Sequence, residues 1–326
     1  MKEYLWEWRS AFSHPVTIGI SAGVGALLVV VLLVIAMMPA TVSLREELRK
    51  RCLSWGVMAP LLIGPVLAGP LWTMLMVCAI GVLCYREYAR ATGLFREKAV
   101  SAVVVLGIFL VTFAVVDHWY GFFVALFPLV VVLIAAAGIV KDRPSGYIQR
   151  VGLAVLGFML FGCALGHLGY MANDRGYRPV VLMVILCVEM NDVFAFCAGK
   201  LLGRHHLAPN TSPNKTMEGS VGAVVLTTAL TAFLGHFVFL GTPMDQPFRL
   251  VTLGFLVSVA GQLGDLMLSS IKRDIGIKDM GSVIPGHGGI LDRFNSLLLV
   301  SPAVFHFVGF FVGFGLDRPG RILTGG

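Results

Sequence analysis

Charge is what this chain has least of. Asp, Glu, Lys and Arg make up 13% of its 326 residues, against about 25% in an ordinary soluble domain. With 57% hydrophobic residues, the deficit predicts a membrane protein. Cysteine spacing excludes two further classes. Cys52, Cys78, Cys84, Cys163, Cys187 and Cys197 lie in or beside apolar runs without a C-x-x-C pair, so they read as small hydrophobes and not as a disulfide frame or zinc site. A Walker-type phosphate loop, a G-x-S-x-G elbow and an H-E-x-x-H helix are absent, as are a repeat of fixed period and a long linker. The residues before the first apolar run include Glu3 and Glu7 among aromatics. They lack the basic n-region of a cleaved signal, so the first span is expected to be retained.

Long apolar runs fill the space that charge leaves. Val16–Met38 is long enough to cross about 30 Å of hydrocarbon, with Trp6 and Trp8 placed as interfacial anchors. Arg45, Glu46, Glu47, Arg49, Lys50 and Arg51 form a charged connector with a helix-like pattern. Leu53–Tyr85 is punctuated by Pro60, Pro65 and Pro70, and reads as two short helices in a tight hairpin. Further runs lie at Ala99–Val116, Trp119–Val140, Val151–Met171, Val180–Ala198, Ser220–Leu240, Phe248–Ile271 and Leu297–Leu316. The expected fold is all-α, a polytopic membrane bundle of nine to ten transmembrane helices. It forms one integral unit, with an N-terminal transmembrane region over residues 1–170 and a catalytic transmembrane region over 171–326.

The net charge of +7 sits in short loops such as Arg86–Lys98 and Lys141–Arg150. These are topology signals and not a nucleic-acid footprint. They place the loops Gly199–Gly219 and Lys272–Ser296 together on the cytoplasmic face, as expected for a multi-pass protein of a bacterial inner membrane whose active site faces the cytoplasm.

Ser269–Ser296 is a polar island between apolar spans. If the preceding run continues as a helix, Asp265, Ser269 and Lys272 stand at i, i+4 and i+7 and share a face. A carboxylate, a hydroxyl and an amine on one stripe suit a metal-bound polyphosphate. A carboxylate within an apolar run costs about 2.5–3.5 kcal/mol on insertion scales, so Asp192 and Asp265 are expected to face a cavity or a partner. Asp265 and Asp292 flank a turn, and a loop that doubles back could bring both to one cation or a pair of cations. Oxygen ligands of this kind suit Mg²⁺. Lys272, Arg273 and Arg293 are either phosphate contacts or basic side chains snorkelling at the interface. His287 could bond a phosphate, act as an acid or cap a helix, and Gly288-Gly289 lets bare backbone approach a ligand. Lys215, Thr216 and Glu218 either cap the following span or bind nucleotide phosphate.

The run Ser269 … Lys272-Arg273 … Lys278-Asp279 … Pro285-Gly286-His287-Gly288-Gly289 … Asp292-Arg293 resembles the signature of the phosphatidate cytidylyltransferase (CDP-diacylglycerol synthase) family. Asn191-Asp192-Val193-Phe194-Ala195-Phe196, with Gly199-Lys200 and Ser212–Gly219, is similar to that family's upstream motif. The resemblance covers the C-terminal half closely. It implies CTP as substrate, phosphatidate in the membrane as acceptor, pyrophosphate release and Mg²⁺, as two cations, on Asp265 and Asp292. It also implies catalytic roles for Asp265, Ser269, Lys272, Arg273, His287, Asp292 and Arg293, and nucleotide contacts from Lys215, Thr216, Glu218, Gly288, Gly289 and Asp192. A homodimer is compatible with it. Asn295 departs from the pattern, standing where the signature commonly ends in Asp. Two other readings stay open: a related CTP-using lipid enzyme with another acceptor, and an anion transporter with Asp and Arg lining its pathway.

Overall fold

The computed structural model describes residues 5–38, 43–284, 288–314, 316 and 320–325. Its elements are α1 (Pro15–Met37), α2 (Ser43–Ala68), α3 (Pro70–Thr92), α4 (Lys98–Val116), α5 (Tyr120–Ala137), α6 (Tyr147–Phe158), α7 (Leu165–Met171), α8 (Tyr177–Leu202), β1 (His206–Ala208), β2 (Ser212–Thr216), α9 (Met217–Val238), α10 (Pro247–Asp274), α11 (Leu291–Phe294) and α12 (Leu297–Val312). A π-helical turn, Met159–Ala164, joins α6 to α7 in one continuous span. Among the described residues, ten helices are long and apolar enough to cross a membrane. The protein is thus a mostly helical, multi-pass membrane bundle.

Proline placement corrects one expectation. The segment Leu53–Tyr85 does divide into two helices packed on each other, with the break at Gly69-Pro70 and Pro70 opening α3, but neither helix is short. Pro60 and Pro65 lie inside α2, which runs for 26 residues and takes in the charged connector. Each proline frees the carbonyl four residues before it, a loss that a membrane helix tolerates where neighbouring groups re-satisfy it; at the end of α2, Pro65 O accepts from Gly69 N at 3.2 Å and from the Thr73 hydroxyl at 3.3 Å.

One hydrophobic cluster runs from Val16 to Phe314, with α7 packed on both α3 and α12 and thereby joining the two ends of the chain. The C-terminal helices approach closely. A Cβ on Gly264 of α10 would lie 2.7 Å from Asn295 O, so glycine there lets the α11–α12 junction rest on α10. Polar side chains link α8, α9 and α10 inside the bundle. Asn191 Oδ1 accepts from Thr227 at 3.0 Å and Ser258 at 2.6 Å, and Gln262 donates to Ser258 at 3.2 Å and accepts from Ser220. Such bonds hold helices together where apolar surfaces have no preference for each other over lipid.

Candidate functional site

The ends of α8, α9 and α10, with the β1–β2 hairpin, enclose a cavity of about 530 Å³ lined by Asp192, Phe196, Lys200, Lys215, Ser220, Gln262 and Asp265 among others. That volume is in the range of small-molecule sites. β2 delivers Lys215 to it, and Thr216 ends the strand as the N-cap of α9, its hydroxyl accepting from Gly219 N at 3.1 Å. Glu218 faces the α8–β1 turn, where it accepts from the amides of Arg204 at 3.0 Å and His205 at 3.2 Å and meets His205 Nδ1 at 2.6 Å. Thr216 and Glu218 therefore hold the hairpin in place, and Lys215 is the member of that motif whose charge reaches the cavity.

Asp265 brings the two motifs together. One of its oxygens pairs with Lys215 Nζ, 50 residues earlier in the chain, and the other accepts from Asn295 Nδ2 at 2.6 Å. Asn295 in turn accepts from Ser296 N at 2.7 Å, which fixes the direction of its amide. Asp192 opens onto the same cavity and lies within electrostatic reach of Asp265, Lys215 and Arg293. Glu189, one turn earlier on α8, is within reach of Asp192 and Arg293. Sequence reading passed over Glu189, although a carboxylate three residues from Asp192 in an apolar span carried the same signal. Arg293 is half-buried, and its Nε is without a hydrogen-bond partner among the described residues.

Asp292 belongs to a different network. Its side chain is 4% exposed, with Oδ1 on Lys272 Nζ at 2.8 Å and Oδ2 accepting from Met280 N at 2.9 Å and Gly289 N at 3.0 Å. Both of its oxygens are thus engaged by the protein, and the structure draws Asp265 and Asp292 into separate ion pairs. Among the described residues no group of three or more His, Cys, Asp and Glu is arranged to hold a metal. Two carboxylates on a polar cavity, Asp192 and Asp265, nonetheless fit a Mg²⁺ that completes its shell with water and substrate phosphate. Ser269 is buried on α10. Arg273 donates to Thr211 O at 3.2 Å and Ile277 O at 3.4 Å, tying the hairpin loop to the end of α10. Gly288 adopts φ +81° and accepts from Ile284 N at 2.9 Å, closing the signature turn. His287, with Pro285 and Gly286, lies outside the described residues.

A family model described as the Cytidylyltransferase family matches residues 49–311, from α2 to the last turn of α12. The chain is 31% identical over 261 residues to the uncharacterized protein YnbB of Escherichia coli (strain K12), covering 78% of this chain and 84% of that one. It is 30% identical over 275 residues to a phosphatidate cytidylyltransferase of Bacillus subtilis (strain 168), covering 81% and 99% respectively. A phosphatidate cytidylyltransferase of Staphylococcus epidermidis is 37% identical over 155 residues, 48% of this chain and 55% of its own.

Proposed function

The chain belongs to the cytidylyltransferase family, and from that premise we propose that it transfers the cytidylyl group of CTP to phosphatidate, giving CDP-diacylglycerol and pyrophosphate. Family membership implies the use of CTP. The observation that supports the acceptor and the site is the convergence on Asp265 of Lys215 from the upstream motif and Asn295 from the signature, at a polar cavity within a bundle of membrane helices. A lipid phosphate monoester is already a nucleophile. One of its oxygens bonds to the α-phosphorus of CTP, the bond from that phosphorus to the bridging oxygen breaks, and pyrophosphate leaves with the electron pair. The protein's task is to hold two anions in line and offset their charge. Lys215 supplies that charge at the cavity wall, and Arg293, within electrostatic reach of Asp192, adds to it. Asp265 and Asp192 would hold Mg²⁺, which supplies further neutralisation of phosphate oxygens when bound. The deciding experiment gives the purified protein CTP, Mg²⁺ and phosphatidate and weighs the lipid product. CDP-diacylglycerol with equimolar pyrophosphate supports the reading; no product from phosphatidate, beside a product from another lipid phosphate, overturns it.

Both motif loops are assigned to the cytoplasmic face by their loop charge. Asn210 and Ser282 are exposed, and Cys197 is the exposed native cysteine beside five buried ones. In a Cys197→Ser background, cysteines placed at 210 and 282 should be labelled by an impermeant reagent only once the inner face is opened. Labelling of either in intact cells would overturn the orientation.

Asn295→Asp tests the departure from the family pattern. In the native chain an amide N–H fills the space beside Asp265 Oδ1 at 2.6 Å. A carboxylate there would face another carboxylate, and the pair requires a cation or a proton between them. The variant is therefore expected to lower the half-saturating Mg²⁺ concentration about tenfold, as a gain of about 1.4 kcal/mol from one added, partly screened charge would do. Its lipid product should be unchanged. A wild type that makes no CDP-diacylglycerol, beside a variant that does, would instead favour a different natural acceptor.

A further inference from the structure

Glu87 is a carboxylate on a membrane helix, α3, far in sequence from either motif. It is 7% exposed, and a buried charge persists only where hydrogen bonds or a counter-charge compensate its lost hydration. Its oxygens take the backbone of the signature loop, Oε1 accepting from Ile290 N at 3.0 Å and Oε2 from Leu291 N at 2.8 Å. Bonds from amides to a carboxylate are roughly twice as strong as neutral ones. Leu291 opens α11, the turn that carries Asp292 and Arg293. Together with the amides of Met280 and Gly289 on Asp292, four amides of one loop point inward at two buried carboxylates. The loop's glycines make this approach possible. A Cβ on Gly281 would lie 2.6 Å from Glu87 Oε1 and one on Gly289 2.5 Å from Oε2, distances that real side chains do not adopt.

We propose that Glu87 is a positioning residue for the reaction: it clamps the start of α11 and so sets the orientation of Arg293 and of the Asp292–Lys272 pair. The clamp's consequence for turnover rests on the proposed function, whereas the contact itself does not.

Three measurements on Glu87→Gln separate positioning from mere support: the steady-state constants for CTP, the thermal midpoint, and hydrogen exchange of the peptide covering Gly289–Leu291. Gln keeps an acceptor for one amide and turns an NH₂ toward the other. The expected result is a kcat reduced at least tenfold with KM for CTP within threefold, as for an interaction realised at the reacting groups and not in ground-state binding. Exchange at 289–291 should rise about tenfold or more while peptides from α8 and α9 are unchanged. Gly281→Ala, which retains the carboxylate but pushes it aside, should give the same split. In a Glu87→Ala background the Gly281→Ala change should add less, because its two closest contacts, at 2.6 and 2.9 Å on the Glu87 carboxylate, are gone. Normal kcat and normal exchange in Glu87→Gln would overturn the proposal, as would a loss confined to the amount of folded protein with full activity per folded molecule. If wild type turns over no lipid phosphate, the proposed function falls; faster exchange in Glu87→Gln then still supports the clamp, and unchanged exchange overturns it.

Discussion

Asp265→Asn is expected to cut cytidylyl transfer by about two to three decades, the loss typical of removing one group that manages charge in a transition state, and to leave the fold in place. Asn keeps an oxygen that can accept from Asn295 Nδ2, so the α10–α11 contact survives. What disappears is the negative charge that orients Lys215 and that, with Asp192, would hold the cation. Lys215 and Asp265 are 24% and 20% exposed and border the cavity, so water reaches their pair, and losing it should cost less than the roughly 3–5 kcal/mol of breaking a fully buried one. Rate and stability thus separate. Initial rates at saturating CTP, read beside the thermal midpoint in the same detergent, provide the check. An Asp265→Asn enzyme within threefold of wild type at limiting Mg²⁺ would remove Asp265 from the reaction.

Apolar run length was enough to find the spans, because a membrane helix must satisfy its backbone internally whatever its neighbours are. Helix ends were less visible. α8 and α10 run past their apolar runs, to Leu202 and Asp274, and polar residues there continue the helix into the site. The stripe Asp265, Ser269, Lys272 does lie on one helix, as spacing predicts. Spacing could not say that its two charged members turn to different partners, Asp265 to Lys215 and Lys272 to Asp292. That choice depends on where β2 and the signature loop arrive, which is tertiary information. Glu87 was illegible for a similar reason: on α3 it reads as a charge beside Arg86 at the end of an apolar run, and its partners are backbone amides about two hundred residues away, which leave no mark in side-chain identity. The glycines at 281 and 289 do leave one, but only in relation to the carboxylate they make room for.

Asp292→Ala should behave unlike Asp265→Asn, losing stability as well as rate. The substitution strands Lys272, 12% exposed, without its anion, and leaves the amides of Met280 and Gly289 without an acceptor. Breaking a buried ion pair from one side costs about 3–5 kcal/mol, because the remaining charge stays desolvated and uncompensated. Loop and helix should therefore separate at a clearly lower temperature, and activity should fall by more than the folded fraction. The double variant Asp292→Ala, Lys272→Met isolates the cause. It removes the stranded charge and fills part of the space with apolar volume, so its thermal midpoint should lie above that of Asp292→Ala alone even though more of the native network is gone. Activity should not return with it, since the amides of Met280 and Gly289 remain unbonded. If Asp292→Ala is instead as stable as wild type and merely inactive, with the double variant no better, then Asp292 is not a structural clamp in the working enzyme, and the assignment of a cation to Asp265 and Asp292 together regains its force.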